Sequence, residues 1–334
     1  MTRSPSRSEG TARYAARFPA HQNFFRQAQE FTVSSLGLGT YLGAPDEETD
    51  RSYIDAARAA FHGGINFFDT AINYRHQRSE RALGEALAGV PRDEYVLCTK
   101  AGFLTPGAVP QGALGPTDVV GGMHSMAADF LADQIERSQA NLRVDTIDVF
   151  YLHNPETQLD YVPRPEFDAR VRAAFDRLER LVADGRIRYY GTATWDGYRQ
   201  KGKLNLRAIA AIARECGGDG HHFRFIQLPF NLGMVEAYTN QPENVLEIAA
   251  AEGISVIASA ALMQARVIGR TPEAVAELLP GLSSDAQRAI QFTRSTPGIG
   301  VALVGMSSAE HVRDNLGVAA VPPATAEEYL RLFE

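Results

Sequence analysis

The chain has 334 residues, 45% of them hydrophobic, which is enough to bury one large core, and its acids and bases are interspersed with a net charge of -7. That balance excludes the basic stripe on which a nucleic-acid-binding surface depends. The two cysteines, Cys98 and Cys216, form neither a CxxC pair nor a disulfide framework, and the basic opening MTRSPSRSEG has no apolar stretch behind it, so a cytoplasmic setting without a secretory signal is expected. The most apolar run, residues 254–268, is broken by Gln264 and Arg266 and is too short and polar to span a membrane.

Residues 1–30 are polar and mixed and read as an N-terminal arm. From there, short β-rich runs alternate with segments of helical period through about residue 320, and 321–334 reads as a C-terminal tail. The proposed strands are SSLGLGT ending at Thr40, INFFDT with Asp69, YVLCTK ending at Lys100, and TIDVFYLH ending at His153. IRYYGTAT follows, ending at Thr194, then FRFIQL with Gln227, ISVIAS ending at Ser259, and GVALVG ending at Gly305. Each is apolar or β-branched, as buried parallel strands are. Between them, Tyr53, Ile54, Ala57 and Phe61 recur at helical spacing before Gly63 and Gly64. Ala82, Leu83, Ala86 and Leu87 do so after Ser79, a suitable N-cap, and Val171, Phe175, Leu178 and Val182 do so before Gly185. Eight strands alternating with helices predict an α/β fold, a (β/α)8 TIM barrel in one domain, 31–320, with long loops at its C-terminal face.

Polar residues fall where most strands end. In such a barrel those ends meet at one face, which is where active sites form. Taken singly, Asp69 reads as a strand-end cap, Tyr74 as a loop aromatic, and Lys100 and His153 as surface residues. Gathered by the fold, they need one another, because a charge at a barrel mouth requires a partner.

The motifs carry a resemblance. DTAINYRHQRSERALGEAL, YVLCTKAG, SQANLRVDTIDVFYLHNPE, QLPFN and GVALVGMSSAEHVRDNL resemble, in order and spacing, segments of the aldo/keto reductase family, over residues 35–316. The pattern is most similar to the longer bacterial branches with large strand–helix loops. The resemblance implies a catalytic tetrad of Asp69, Tyr74, Lys100 and His153. Tyr74 would donate a proton to a carbonyl oxygen while a nicotinamide supplies hydride. Lys100 would lower the phenol's pKa, Asp69 would hold Lys100, and His153 would orient the oxygen.

No GxGxxG follows a strand, which argues against a Rossmann site. A barrel can bind phosphates at the loops after its last two strands, and Gly305, Ser307 and Ser308 ahead of a helix suit that use. The resemblance implies NADP(H), with NAD(H) not excluded, held by Thr40, Thr194, Gln227, Ser259, Leu262, Gln264, Gly305, Ser307, Ser308, His311 and Asn315. The chain departs from the family's pattern at several places. Ala193-Thr194 stands for Ser-Asn, Ser259 for a stacking Tyr, and Gly305 and His311 for a Lys and an Arg at the 2′-phosphate. Trp195 offers stacking from another side, and Arg294 or Arg313 a compensating cation. Tyr41, Phe103, Tyr161, Trp195 and Phe230 are candidate pocket walls, beside the long loops 102–127 and 154–167. No metal site is expected: none of the eight histidines sits in HExxH or near a cysteine pair, His221-His222 reads as a solvated pair, and Cys98 reads as core. The implied partner is a small carbonyl or alcohol, with no nucleic acid and no membrane. Two alternatives stay open: the same tetrad used for non-reductive acid–base chemistry (elimination, isomerisation or sugar oxidation), and a non-catalytic subunit that senses NADP(H).

Overall fold

The computed structural model describes residues 8–109, 112 and 114–333. Eight parallel strands close a barrel in which chain neighbours are also sheet neighbours. They are β1 (Leu36–Gly39), β2 (Phe67–Asp69), β3 (Val96–Ala101), β4 (Ile147–His153), β5 (Ile187–Ala193), β6 (Phe223–Pro229), β7 (Ser255–Ser259) and β8 (Ile299–Gly305). Each coincides with an expected run. The register sets Gly39 beside Asp69, Asp69 beside Cys98 and Lys100 beside Tyr151, so the polar residues step up from strand to strand along the same end of the barrel. Phe67, Cys98, Val149, Tyr151, Phe225, Ile257 and Val301 form one buried cluster, so Cys98 is core as expected.

The helix Glu47–His62 starts where Asp46 accepts the Thr49 amide at 2.8 Å, with Glu47, Glu48 and Asp50 favourably placed on the positive end of its dipole. It ends at Gly63, and Gly64 follows at φ 104°, a turn that glycine makes without strain. Ser79 departs from its expected capping role. The helix Arg78–Ala86 begins after Gln77, and the Ser79 hydroxyl donates to the Thr40 carbonyl at 2.8 Å, tying this helix to the end of β1. The helix Arg164–Ala183 buries Val171, Phe175 and Leu178 and stops before Gly185, which has φ 72°.

The described parts of the arm and of the tail are packed, residues 1–7 and 334 lying outside the described residues. A helix, Ser8–Ala15, buries Tyr14, whose hydroxyl donates to the carbonyls of Phe61 and Ile65. A hairpin of Phe25–Ala28 with Phe31–Ser34 drives Phe31 and Val33 into the cluster inside the strands. Because the hairpin runs straight into β1, it plugs the N-terminal end of the barrel and leaves the opposite end for the site. Burial of a side chain such as Phe31 contributes roughly 1.5–3 kcal/mol. At the other terminus, Thr325 and Glu328 form a capping box for the helix Ala326–Leu330. This buries Tyr329 against Phe292 and Tyr238.

Candidate active site

Three adjacent strand ends carry the charged cluster. Asp69 closes β2, Lys100 is the penultimate residue of β3 and His153 closes β4. The Lys100 ammonium donates to Asp69 Oδ1 at 2.5 Å and to the Thr70 carbonyl at 2.7 Å. From β6, Gln227 donates to Asp69 Oδ2 at 2.9 Å, so both carboxylate oxygens are engaged. The Lys100 Nζ lies 5.0 Å from the centre of the Tyr74 ring, and that ring meets the His153 imidazole edge-on at 5.8 Å. The four residues expected to act together are therefore neighbours.

The electrostatics follow from burial. Desolvation, the largest single effect, pulls the Lys100 amine down, but Asp69 and Tyr74 together outweigh it and the net direction is up, so Lys100 stays charged. Burial pushes the Tyr74 phenol above its ordinary value while Lys100 pulls it down. The expected lowering by Lys100 is thus present as an opposing effect, but burial wins and the phenol is protonated at neutral pH. Burial, with help from Lys100 and His124, pulls His153 well below its ordinary value, so the imidazole is neutral.

Tyr74 leads into an unusual turn. Arg75, His76 and Gln77 follow it with φ of 50°, 54° and 71°. Consecutive left-handed residues with side chains are unfavourable, each by roughly 1–2 kcal/mol, and need outside support. Arg75 supplies it, donating to the Ala44 carbonyl at 2.8 Å, the Asp46 carbonyl at 3.0 Å and Asp50 Oδ1 at 2.6 Å. Its guanidinium also lies 5.4 Å from the centre of the Tyr53 ring. Tyr41 packs edge-on against Tyr74 at 5.0 Å from the other side.

The family model for the aldo/keto reductase family matches residues 35–334. The chain belongs to the aldo/keto reductase family. It is similar to a D-threo-aldose 1-dehydrogenase of Pseudomonas sp, 36% identical over 141 residues, or 40% of this chain and 41% of that protein. It is also similar to a 6-dehydroglucose reductase of Novosphingobium aromaticivorans, 34% identical over 171 residues, or 49% of this chain and 48% of that protein. The matched part is thus less than half the length of either curated relative. An aldo/keto reductase from Klebsiella pneumoniae in complex with NADP and acetate shares the fold at a TM-score of 0.66 and 21% identity, covering 93% of this chain and 95% of that one.

In this aldo/keto reductase the remaining expected site residues divide. Thr40 is fully buried, its hydroxyl donating to Thr70 Oγ1 at 2.9 Å. Thr194 is buried at the end of β5, its amide donating to the Gln227 carbonyl at 2.9 Å. Ser259, Leu262, Ser307 and Ser308 are half-buried, Gln264, Gly305 and His311 are exposed, and Asn315 is buried. Ser308 caps the helix Ala309–Asn315 by accepting the His311 amide at 3.2 Å. Arg294 does not compensate for Gly305 and His311. It is fully buried, donating to Ser35 Oγ at 2.9 Å, the Gln291 side chain and the Val318 carbonyl, beneath the Phe24 ring at the plugged end. Arg313 is exposed on the helix after β8. Phe230 is core rather than pocket wall, buried and stacked on Phe292 at 6.0 Å. Tyr161 is exposed and packs beside Gly121 in the loop after β3.

Phe103 packs edge-on against His153 at 5.1 Å. Trp195 is exposed on a loop that a buried carboxylate anchors: Glu156 Oε1 accepts the amides of Trp195, Asp196 and Gly197 at 2.7, 3.1 and 3.2 Å. Sequence reasoning singles out neither Glu156 nor Arg75 nor His124. The first two lie in segments quoted for their neighbours, and His124 lies in a loop legible only as rich in Gly, Pro and Val. His221 and His222 are less solvated than expected, since His221 is buried and His222 Nδ1 sits 2.7 Å from Glu179. Among the described residues, no group of His, Cys, Asp and Glu can hold a metal ion, and no helix is long and apolar enough to cross a membrane.

Proposed function

We propose that the chain is an NADP(H)-dependent oxidoreductase that transfers hydride between the nicotinamide and a small carbonyl or alcohol, with Tyr74 as the general acid. The observation that carries this reading is the Asp69–Lys100 pair at 2.5 Å beneath a Tyr74 ring that also meets His153. Tyr74 gives its proton to the substrate oxygen, and the Lys100 ammonium stabilises the phenolate left behind. Burial keeps the phenol protonated until needed, which suits reduction. His153 is neutral and serves as a hydrogen-bonding group that orients the oxygen rather than as the acid. Asp69 holds Lys100 charged and in place.

The residues present fit the cofactor. Gly305 is exposed with open space where a Cβ would stand, and Ser307 and Ser308 are half-exposed beside it, donors suited to phosphate oxygens. Ser307, Ser308, His311 and Asn315 would hold the phosphate end, with Leu262 and Gln264 alongside. Thr194, Gln227 and Ser259 would hold the nicotinamide end. The bound nicotinamide supplies or accepts the hydride. NAD(H) use stays open, because Gly305 and His311 offer no strong cation to a 2′-phosphate. The names of the relatives, an aldose dehydrogenase and a dehydroglucose reductase, favour a small hydroxylated carbonyl or its alcohol as substrate. A cytoplasmic setting is part of this reading, supported by two free cysteines.

Titration with NADPH and NADH tests it through the fluorescence of Trp195, the only tryptophan. Saturable quenching that is tighter for NADPH, followed by reduction of a carbonyl panel, is expected. Binding of neither cofactor would overturn the reading and return attention to acid–base chemistry on the same four residues.

A further inference from the structure

A second histidine lies behind the cluster. His124 is fully buried in the loop after β3, and its Nε2 sits 2.8 Å from the main-chain carbonyl of His153. Its Nδ1 faces the amide nitrogen of Gln158 at 2.9 Å, in the 3₁₀ turn Pro155–Asp160 that follows β4. Gln158 Oε1 in turn accepts from Arg170 at 2.6 Å, on the helix Arg164–Ala183.

The direction of this chain follows from donor chemistry. A guanidinium only donates, so the Gln158 atom facing it must be the carbonyl oxygen. The amide nitrogen therefore faces His124 and donates, which makes Nδ1 an acceptor and leaves the proton on Nε2. That proton points at the His153 carbonyl. Burial pulls His124 down to about 4, which keeps the ring neutral through neutral pH, and its hydrogen-bond partners choose the tautomer.

The contact replaces lost sheet pairing. β3 ends at Ala101 and β4 at His153, where the chain turns at Asn154 with φ 48°. A Cβ on Gly102 would stand 2.5 Å from the His153 oxygen and 2.7 Å from His124 Nε2, so glycine at this position is what lets the imidazole reach the carbonyl. The loop is then closed at its base: Ser125 donates to the Gly102 carbonyl at 2.8 Å, and Phe103 bridges to His124. The Phe103 ring stands edge-on between two imidazoles, 5.2 Å from His124 and 5.1 Å from His153. Arg170 also donates to the Thr117 carbonyl at 2.8 Å, tying the far part of the same loop to the relay.

We infer that His124 is a positioning residue for the reaction: it fixes the main chain of His153 and the Phe103 ring so that the His153 imidazole is presented to the substrate oxygen, and Arg170 with Gln158 selects the tautomer that does so. The inference rests on the proposed reductase reading, and its test separates the two. His124→Leu removes the donor, whereas His124→Gln puts an amide N–H the same number of bonds from Cβ as Nε2. With wild-type carbonyl reduction as the baseline, His124→Leu is expected to lower kcat about 10- to 30-fold with cofactor affinity unchanged, and His124→Gln to recover to within about threefold of wild type. Equal kcat for His124→Leu and wild type would overturn the inference, as would failure of His124→Gln to do better than His124→Leu. The tautomer is read without turnover and without a variant, by ¹⁵N histidine NMR of the intact protein. An Nε2–H resonance for His124 supports the relay and an Nδ1–H tautomer overturns it. A wild-type protein that reduces no carbonyl overturns the functional reading instead, and the spectrum still decides the relay.

Discussion

The two sides of the barrel mouth are built differently. On the side of β2, β3 and β4, the charged groups around Tyr74 are tied down: Asp69 to Lys100 and Gln227, Arg75 to three acceptors, and His124 to His153 and Gln158. On the side of β7 and β8, Gln264, Gly305 and His311 are exposed, and Ala260, Met263, Gln264 and Ala265 take left-handed conformations in one loop. The first side is organised in advance, as electrostatic catalysis requires, because a group that must stabilise developing charge cannot wait to be oriented. The second has groups free to meet a large anionic cofactor. Under the proposed function, their difference means that chemistry and cofactor capture would depend on separate parts of the sequence and could be perturbed separately.

Substitutions can break that separation. The largest effect is expected from Lys100→Met, which strands Asp69 in the interior. Removing one partner of a buried pair costs about 3–5 kcal/mol. Proton transfer lost with it is worth about 10²- to 10⁴-fold in rate. Chemical denaturation and turnover measure these, and adding Asp69→Asn should restore much of the stability but none of the rate.

Next is the pH dependence of stability. His124 falls from its ordinary 6.5 to about 4 on folding. The unfolded chain therefore binds a proton at this site over a range in which the folded one does not. The contribution is fully present above pH 6.5 and is lost as pH falls toward 4, by roughly 3 kcal/mol. His124→Gln should make the denaturation midpoint less steep across that window, with the slope due to His153 remaining, and an unchanged slope would contradict the burial argument.

Arg75→Met should cost about 1–3 kcal/mol by leaving the left-handed turn after Tyr74 unsupported, and should lower kcat more than it weakens cofactor binding. The smallest effect belongs to the open side. Ser308→Ala removes a helix cap worth about 1 kcal/mol and should weaken cofactor affinity by no more than about tenfold, with kcat for a saturating substrate retained. A loss of kcat there, or of cofactor affinity in Arg75→Met, would merge the two sides.

The same contrast explains what the amino-acid sequence made legible. All eight strands could be read, because a buried parallel strand is a local apolar run, and the four residues that the family resemblance implied as a tetrad lie together at the strand ends. Phe230 misled because its partner, Phe292, comes from a helix far along the chain, and no local pattern distinguishes a core aromatic from a pocket wall at a strand end. Arg294 misled for the same reason: a cation in the last turn of a helix looks solvated, yet the hairpin and the segment after β8 close over it. The arm and the tail look polar on average, while a few of their described residues, such as Tyr14, Phe24 and Tyr329, are buried in the core. The His124 relay needs contacts across 29 and 34 positions, set by loops whose paths carry no periodic signal.

The account stands most directly on Tyr74 as the proton donor, and the measurement that tests it is carbonyl reduction and cofactor titration of Tyr74→Phe beside the wild type. The phenylalanine keeps the ring against Tyr41 and His153 and removes only the hydroxyl. Reduction lower by about 10²-fold or more, with cofactor affinity held within about twofold, is the predicted result. Reduction that survives the substitution would contradict it, and would move the acid to another group on the same face of the barrel.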